Sequence, residues 1–166
     1  MKKNVARRAD GITPFLAMEV MERAEELKAE GKDIILLCLG EPDFPTPEPV
    51  IDSAVTAMKS GKTAYTHSLG RIELREAIVD HYRQRYGVSI TTDRVIVSSG
   101  TSPLMLLLFA SLLDEGGEII LPDPSYACYP NFIRFLGGQT VYLRTRGEDG
   151  FQPRPDEVKK LINSKT

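Results

Sequence analysis

The stretch RVIVSSGTSPLMLLLFASLL, residues 94–113, decides how the rest of the chain is interpreted. It begins with the β-branched run Val95–Val97, breaks at a polar turn with one glycine, and continues as an apolar run long enough for a helix. Pro103 suits the first helical position, because its fixed φ fits the first turn and its missing N–H is not needed there. Ser102 or Thr101 can then cap the helix with a side-chain oxygen. The stretch therefore predicts a strand, a tight turn and a helix.

The predicted turn suits a phosphate group. Main-chain N–H groups and hydroxyls converge where the helix begins, and the helix dipole is positive at that end. A plain β-turn-α corner of an α/β protein shows the same pattern. The stretch alone therefore leaves a phosphate site and an ordinary corner both open.

Composition excludes several classes of function. The chain has 166 residues, a net charge of −2 and 42% hydrophobic residues, which suits a globular domain or a piece of one. This near-neutral charge gives no reason to expect nucleic acid, and the apolar runs are too short to predict a membrane span. Cys38 and Cys128 lack metal-ligand spacing, and so do His67 and His81. We therefore expect free thiols, a cytoplasmic setting and no metal site.

Periodicity and turn residues predict alternating helices and strands. Helices are expected at 15–30, 47–60, 72–86, from 103 onwards, at 126–136 and at 156–162. Strands are expected at 34–39, 95–97, 118–121 and 140–143. Residues 1–12 are predicted to be a polar, basic arm. Strands that alternate with helices indicate an α/β fold with a mainly parallel sheet.

Four motifs, taken together, carry a family resemblance. They are LGEPDFPTP at 39–47, AYTHSLGRIELREAI at 64–78, VSSGTSPL at 97–104 and LPDPSYACYPN at 121–131. Each alone is ordinary, but in this order and spacing they resemble the class I/II aminotransferases, pyridoxal-phosphate enzymes of the aspartate aminotransferase fold. The resemblance extends from about residue 11 to residue 166.

The resemblance implies a fold and a domain division. The fold is an incomplete three-layer α/β/α large domain of the fold type I pyridoxal-phosphate enzymes, with an N-terminal segment that belongs to the small domain. Residues 1–45 would be the N-terminal arm and small-domain segment, and residues 46–166 the first part of the cofactor-binding large domain.

The resemblance also implies roles for individual residues. It places the 5′-phosphate of pyridoxal 5′-phosphate on the turn formed by Ser99, Gly100, Thr101 and Ser102. Tyr126 matches the aromatic residue that stacks on the pyridine ring, Tyr65 matches the tyrosine that reaches the cofactor phosphate of the other subunit in a homodimer, and Gly40 matches the glycine near the substrate carboxylate. The Ser-Pro pair at 102 and 103 departs from many members, so the number of hydroxyls on the phosphate stays open.

The resemblance further implies that the catalytic residues lie elsewhere. No lysine in these 166 residues sits in a motif that matches the Schiff-base lysine, and that lysine is needed both to activate the cofactor and to move the substrate's Cα proton. Lys165 precedes the family's next strand and is expected to be a surface residue.

The expected reaction is amino-group transfer between an amino acid and a 2-oxo acid, with this chain alone inactive. Two alternatives stay open: another fold type I reaction, such as β-elimination or decarboxylation, and a truncated, non-catalytic product.

Overall fold

The computed structural model describes residues 5–166 of the chain. The predicted basic arm therefore lies partly outside the described residues, at 1–4. Six α-helices and two strands follow, together with short 3₁₀ turns at Arg7–Gly11, Thr92–Arg94 and Gly147–Asp149. The helices are α1 Leu16–Ala29, α2 Glu48–Lys59, α3 Ile72–Tyr86, α4 Thr101–Leu112, α5 Tyr129–Phe135 and α6 Pro155–Leu161, and the strands are β1 Glu118–Asp123 and β2 Gln139–Arg144.

The described residues divide into two units. One contains the chain up to Leu39 together with Ser102–Thr166, and the other is Gly40–Thr101. The first unit holds α1, α4 from Ser102 onwards, α5, α6 and both strands, and the second holds α2, α3 and the first residue of α4.

In the first unit, β1 and β2 form a parallel pair whose register runs from Glu118 opposite Gln139 to Asp123 opposite Arg144. A parallel pair needs a crossover connection, and α5 supplies it. This is the βαβ arrangement that the alternating sequence pattern predicted, so the partial α/β architecture is confirmed.

The core of the first unit lies between α4, β1 and α5. Phe109, Leu121 and Ile133 are buried in contact with one another, and Ile133 is completely inaccessible. The backbone also approaches closely here, because a Cβ atom on Gly138 would lie only 2.9 Å from Leu113 Cδ1. The absence of a side chain at Gly138 therefore lets the connection between α5 and β2 pack closely against Leu113.

Two predicted strands are wrong. Residues 32–37 have no regular structure, and Ile35 and Leu37 leave 83% and 89% of their surface exposed. The backbone at Val95–Val97 is likewise not part of a sheet. Both runs have the side chains of a strand, but a strand also needs a neighbour for its N–H and C=O groups. Within residues 5–166 neither run has a strand beside it.

Helices α4 and α5 begin two and three residues away from their predicted starts. Helix α4 begins at Thr101, so Pro103 is its third residue, and α5 begins at Tyr129, so Pro130 falls in its first turn. Both prolines still occupy a first turn, where the missing N–H costs nothing. No helix among residues 5–166 has the length and apolar character needed to cross a membrane.

Candidate functional site

The polar stretch predicted to bind phosphate, Ser99–Ser102, includes the first two residues of α4. Ser99 and Gly100 are exposed, and Gly100 has a φ of +112°, which glycine adopts without strain. The first N–H groups of a helix have no acceptor within the helix, and the dipole makes that end positive. The first turn of α4 also contains no acidic residue that would repel an anion.

The donors of this stretch fit the phosphate of pyridoxal phosphate. Ser99, Thr101 and Ser102 each offer a hydroxyl, and main-chain N–H groups accompany them. A Cβ atom built on Gly100 would meet nothing within 4 Å, so the space beside the turn is open. The division between the two units falls between Thr101 and Ser102. Ser99, Gly100 and Thr101 therefore belong to one unit, and Ser102 to the other.

Within the first unit, Ser102 lies near Tyr126, so two residues predicted separately come together. Tyr126 lies beyond the carboxyl end of β1, where ligands gather in open α/β sheets, and 45% of its surface is exposed. The pKa of Tyr126 is raised above its usual value, mainly by a hydrogen bond and charge interaction with the Cys128 thiol and then by burial. A hydrogen bond with Ser102 acts in the opposite direction and lowers this pKa.

Aromatic contacts fix the ring of Tyr126. Its ring centroid lies 5.2 Å from that of Tyr129, and the two ring planes form an angle of 74°. Tyr129 in turn contacts Phe109 edge-on, with ring centroids 6.3 Å apart. Phe15 meets Tyr126 from the N-terminal segment, with centroids 6.1 Å apart at 69°. Edge-to-face pairs of this kind are favourable, so the orientation of Tyr126 is held by its neighbours and linked to the core.

The segment before α1 is held by a side chain that lies far away in sequence. The Asn131 side chain donates from Nδ2 to the carbonyl oxygen of Thr13 at 2.8 Å, and its Oδ1 accepts from the Thr13 N–H at 3.2 Å. One amide side chain thus satisfies both main-chain groups of Thr13 and holds Phe15 near Tyr126. The partners are 118 positions apart, so no local pattern could have indicated the contact.

The second unit contains the other two predicted site residues, Gly40 and Tyr65. Tyr65 is completely exposed in the loop that leads to α3, and Gly40 is exposed before α2. Within this unit, no hydrogen bond or ring contact joins either of them to Ser99–Thr101. Their roles near a cofactor or a substrate therefore stay predictions. Residues 5–166 contain no group of three or more potential metal ligands.

Comparison with solved structures shows the same fold over nearly the whole chain. Aspartate aminotransferase from Thermus thermophilus with maleate superposes with a TM-score of 0.93 at 38% identity, covering 99% of this chain and 43% of that one. Alanine aminotransferase from Pyrococcus furiosus gives a TM-score of 0.89 at 36% identity, covering 98% of this chain and 42% of that one. The fold type I architecture is thus confirmed, as a part of the complete fold.

Comparison of sequences agrees. The chain is 38% identical to an aspartate/prephenate aminotransferase of Thermus thermophilus, over 99% of its own length and 43% of that protein. It is 37% identical to a (5-formylfuran-3-yl)methyl phosphate transaminase of Methanocaldococcus jannaschii, over 95% of its own length and 43% of that protein. The chain therefore spans less than half the length of these relatives. The family described as aminotransferase class I and II matches residues 32–166, and the chain belongs to this pyridoxal-phosphate-dependent family.

Proposed function

We propose that this chain is the N-terminal, phosphate-binding part of an aminotransferase that moves an amino group between an amino acid and a 2-oxo acid. The observation that carries the proposal is the Ser99–Ser102 stretch at the start of α4, which combines hydroxyl donors, an open glycine and a first turn without acidic residues. Family members are aminotransferases, and these act on amino acids and 2-oxo acids.

The proposed division of labour among this chain's residues follows from their chemistry. Ser99, Thr101 and Ser102 would donate hydrogen bonds to the cofactor's 5′-phosphate, and the dipole of α4 would favour its charge. Tyr126 would present a flat aromatic face to the pyridine ring. Pyridoxal phosphate, when bound, supplies a reactive aldehyde and an electron-withdrawing ring. The main chain at Gly40 would lie near the substrate carboxylate.

The remaining chemistry is proposed to lie outside residues 1–166. A lysine must bind the cofactor covalently and serve as the base at Cα, and no lysine of this chain lies in the motifs that carry the site. The chain alone should accordingly be inactive. The proposal also includes a domain division after residue 45 and a cytoplasmic location. It further includes a homodimer in which Tyr65 contacts the cofactor phosphate of the partner subunit.

A spectroscopic and chemical experiment tests this function. The full-length protein that carries this chain should take up pyridoxal phosphate with a new visible absorbance band, and the band should change when an amino acid is added. Amino donors and 2-oxo acids would then be screened in pairs by chromatography. Amino transfer supports the proposal, whereas release of ammonia or carbon dioxide as the main reaction would favour a lyase or a decarboxylase. Failure to bind the cofactor would contradict all three.

A further inference from the structure

We propose that Gly70 and Arg75 are positioning residues for the cofactor phosphate, because they fix the segment Thr92–Val97 that leads into the Ser99–Thr101 turn. The inference rests on the proposed function, since it takes this turn as the phosphate site. Every residue concerned belongs to the Gly40–Thr101 unit.

Gly70 packs directly against Val97, two positions before Ser99. A Cβ atom on Gly70 would lie 2.7 Å from Val97 Cβ and 3.2 Å from Val97 Cγ2. Gly70 also has a φ of +96°, which other residues rarely adopt. The N–H of Val97 donates to the carbonyl oxygen of Leu69 at 3.0 Å. A hydrogen bond and a backbone approach that only glycine permits therefore hold the chain just before the turn.

Arg75 holds the other end of this segment. Its side chain is buried, with only 6% of the residue exposed, and both Nε and Nη2 donate to the carbonyl oxygen of Thr92, Nε at 3.0 Å. Bonds from a charged donor are stronger than neutral ones, and burying a guanidinium is costly unless it is well hydrogen-bonded. Val95, which follows the Thr92–Arg94 turn, is itself buried. The segment is thus fixed at 92, 95 and 97.

The same anchor supports the loop that carries Tyr65. The N–H of Leu69 donates to His67 Nδ1 at 3.1 Å, and the N–H of Gly70 donates to the His67 carbonyl oxygen at 2.8 Å. The tight turn at His67–Gly70 therefore ends at Gly70, the residue that packs against Val97. One junction orders both predicted phosphate-binding elements of this unit.

Fixing the segment in advance should increase affinity for the phosphate. Ser99 and Gly100 are exposed, so the direction of their N–H groups depends on the backbone that precedes them. A turn that is already ordered loses less entropy on binding than a mobile one. Loosening the junction should therefore weaken cofactor binding even though neither Gly70 nor Arg75 contacts the phosphate.

The experiment compares Gly70→Ala with Gly87→Ala in the full-length protein that carries this chain. Gly87 has a φ of +66° and no atom within 4 Å of an added Cβ, so its variant introduces backbone strain without a contact. The dissociation constant for pyridoxal phosphate should rise about tenfold in Gly70→Ala, or about 1.4 kcal/mol, and stay near the wild-type value in Gly87→Ala. Before cofactor is added, amide hydrogen exchange over 95–101 should quicken in Gly70→Ala alone.

A second pair keeps the test decisive if Gly70→Ala fails to fold. Arg75→Lys keeps the charge but loses the forked donor, and Arg83→Lys changes an exposed arginine on the same helix that pairs with Asp80. Arg75→Lys should weaken cofactor binding and quicken exchange at 92–97 more than Arg83→Lys. Equal effects within the arginine pair, or equal effects within a folded glycine pair, would overturn the inference. A wild-type protein that does not bind the cofactor would instead contradict the proposed function.

Discussion

Phe15 meets the ring of Tyr126 edge-on, with centroids 6.1 Å apart and the planes at 69°. These residues are 111 positions apart in sequence, and their contact joins the segment before α1 to the loop after β1. Tyr126 is also in contact with Tyr129, which contacts the core residue Phe109. The face proposed to stack on the cofactor is therefore supported by a row of rings that ends in the core.

Two substitutions of Tyr126 distinguish the role of its ring from the role of its hydroxyl. Tyr126→Ala removes the aromatic face and the edge contacts, so cofactor binding should weaken by about 0.5–1.5 kcal/mol and turnover should slow. Tyr126→Phe keeps the face and both ring contacts and should be much less harmful. The measurement is titration of the full-length protein with pyridoxal phosphate. Equal damage by Phe and Ala would mean that the hydroxyl, and not stacking, carries the role.

Local sequence patterns predicted the elements whose partners lie nearby. Helix α3 was expected at 72–86 and occupies Ile72–Tyr86, because Gly87 follows with a left-handed φ of +66° that ends the helix. Strands β1 and β2 were also predicted, since each finds the other across one short crossover helix. In these cases the local signal and the packing agree.

The patterns failed where the outcome depends on distant partners. The run at 34–39 has the residues of a strand, but Ile35 and Leu37 are exposed and no strand pairs with it among residues 5–166. The contacts of Asn131 with Thr13 and of Phe15 with Tyr126 join positions more than 100 apart. For the site, one glycine and several hydroxyls marked the turn at 98–102, whereas nothing local marked Arg75 as the buried donor to Thr92.

The hydroxyl of Tyr126 should titrate at unusually high pH. The neighbouring Cys128 raises the pKa of Tyr126, so the neutral phenol is favoured in the folded protein. The pKa of Tyr126 is thus higher in the folded than in the unfolded chain. Its contribution to folding stability is fully present below the unfolded-state pKa and is lost as pH rises through the folded-state pKa. Cys128→Ala should shift the phenol absorbance titration to lower pH. In a Tyr126→Phe background the same change should leave the titration unaltered, and a shift there would assign it to another tyrosine.

Gly100→Val should weaken cofactor binding. Valine at a φ of +112° is strained by about 1–3 kcal/mol, and its branched side chain would crowd the N–H groups that face the phosphate. Gly61→Val is the matched control, because Gly61 has a φ of +73° and open space around it but lies outside the turn. Both variants should lose stability in thermal unfolding, and only Gly100→Val should lose affinity. Unchanged affinity in Gly100→Val would contradict the phosphate placement.

Tyr65 tests whether the site is shared between subunits. Its side chain is completely exposed, and its proposed role is to contact the cofactor phosphate of a partner chain. A Tyr65→Phe protein would be mixed with one disabled at its covalent lysine. Hybrid dimers should then contain one doubly damaged site and one intact site, and activity should reappear on mixing. If hybrids form, as native mass spectrometry would show, and no activity returns, Tyr65 acts within its own chain.

The exposed apolar surface of α4 has a consequence for the isolated chain. Leu107, Leu108 and Leu112 leave 64%, 46% and 71% of their surface exposed, although a helix this apolar is normally buried. Residues 1–166 expressed alone should therefore associate or aggregate. Size-exclusion chromatography with light scattering measures this directly, and a monodisperse monomer would contradict the expectation.

The most direct test of the central claim is titration of residues 1–166 alone with pyridoxal phosphate. Borohydride reduction and peptide mapping of any labelled lysine would follow the titration. We expect weak binding through the phosphate turn, no single lysine labelled and no amino transfer, because the turn and Tyr126 belong to this chain whereas the covalent lysine is proposed to lie outside residues 1–166. A cooperatively folded chain that labels at one lysine and transfers amino groups would contradict the claim.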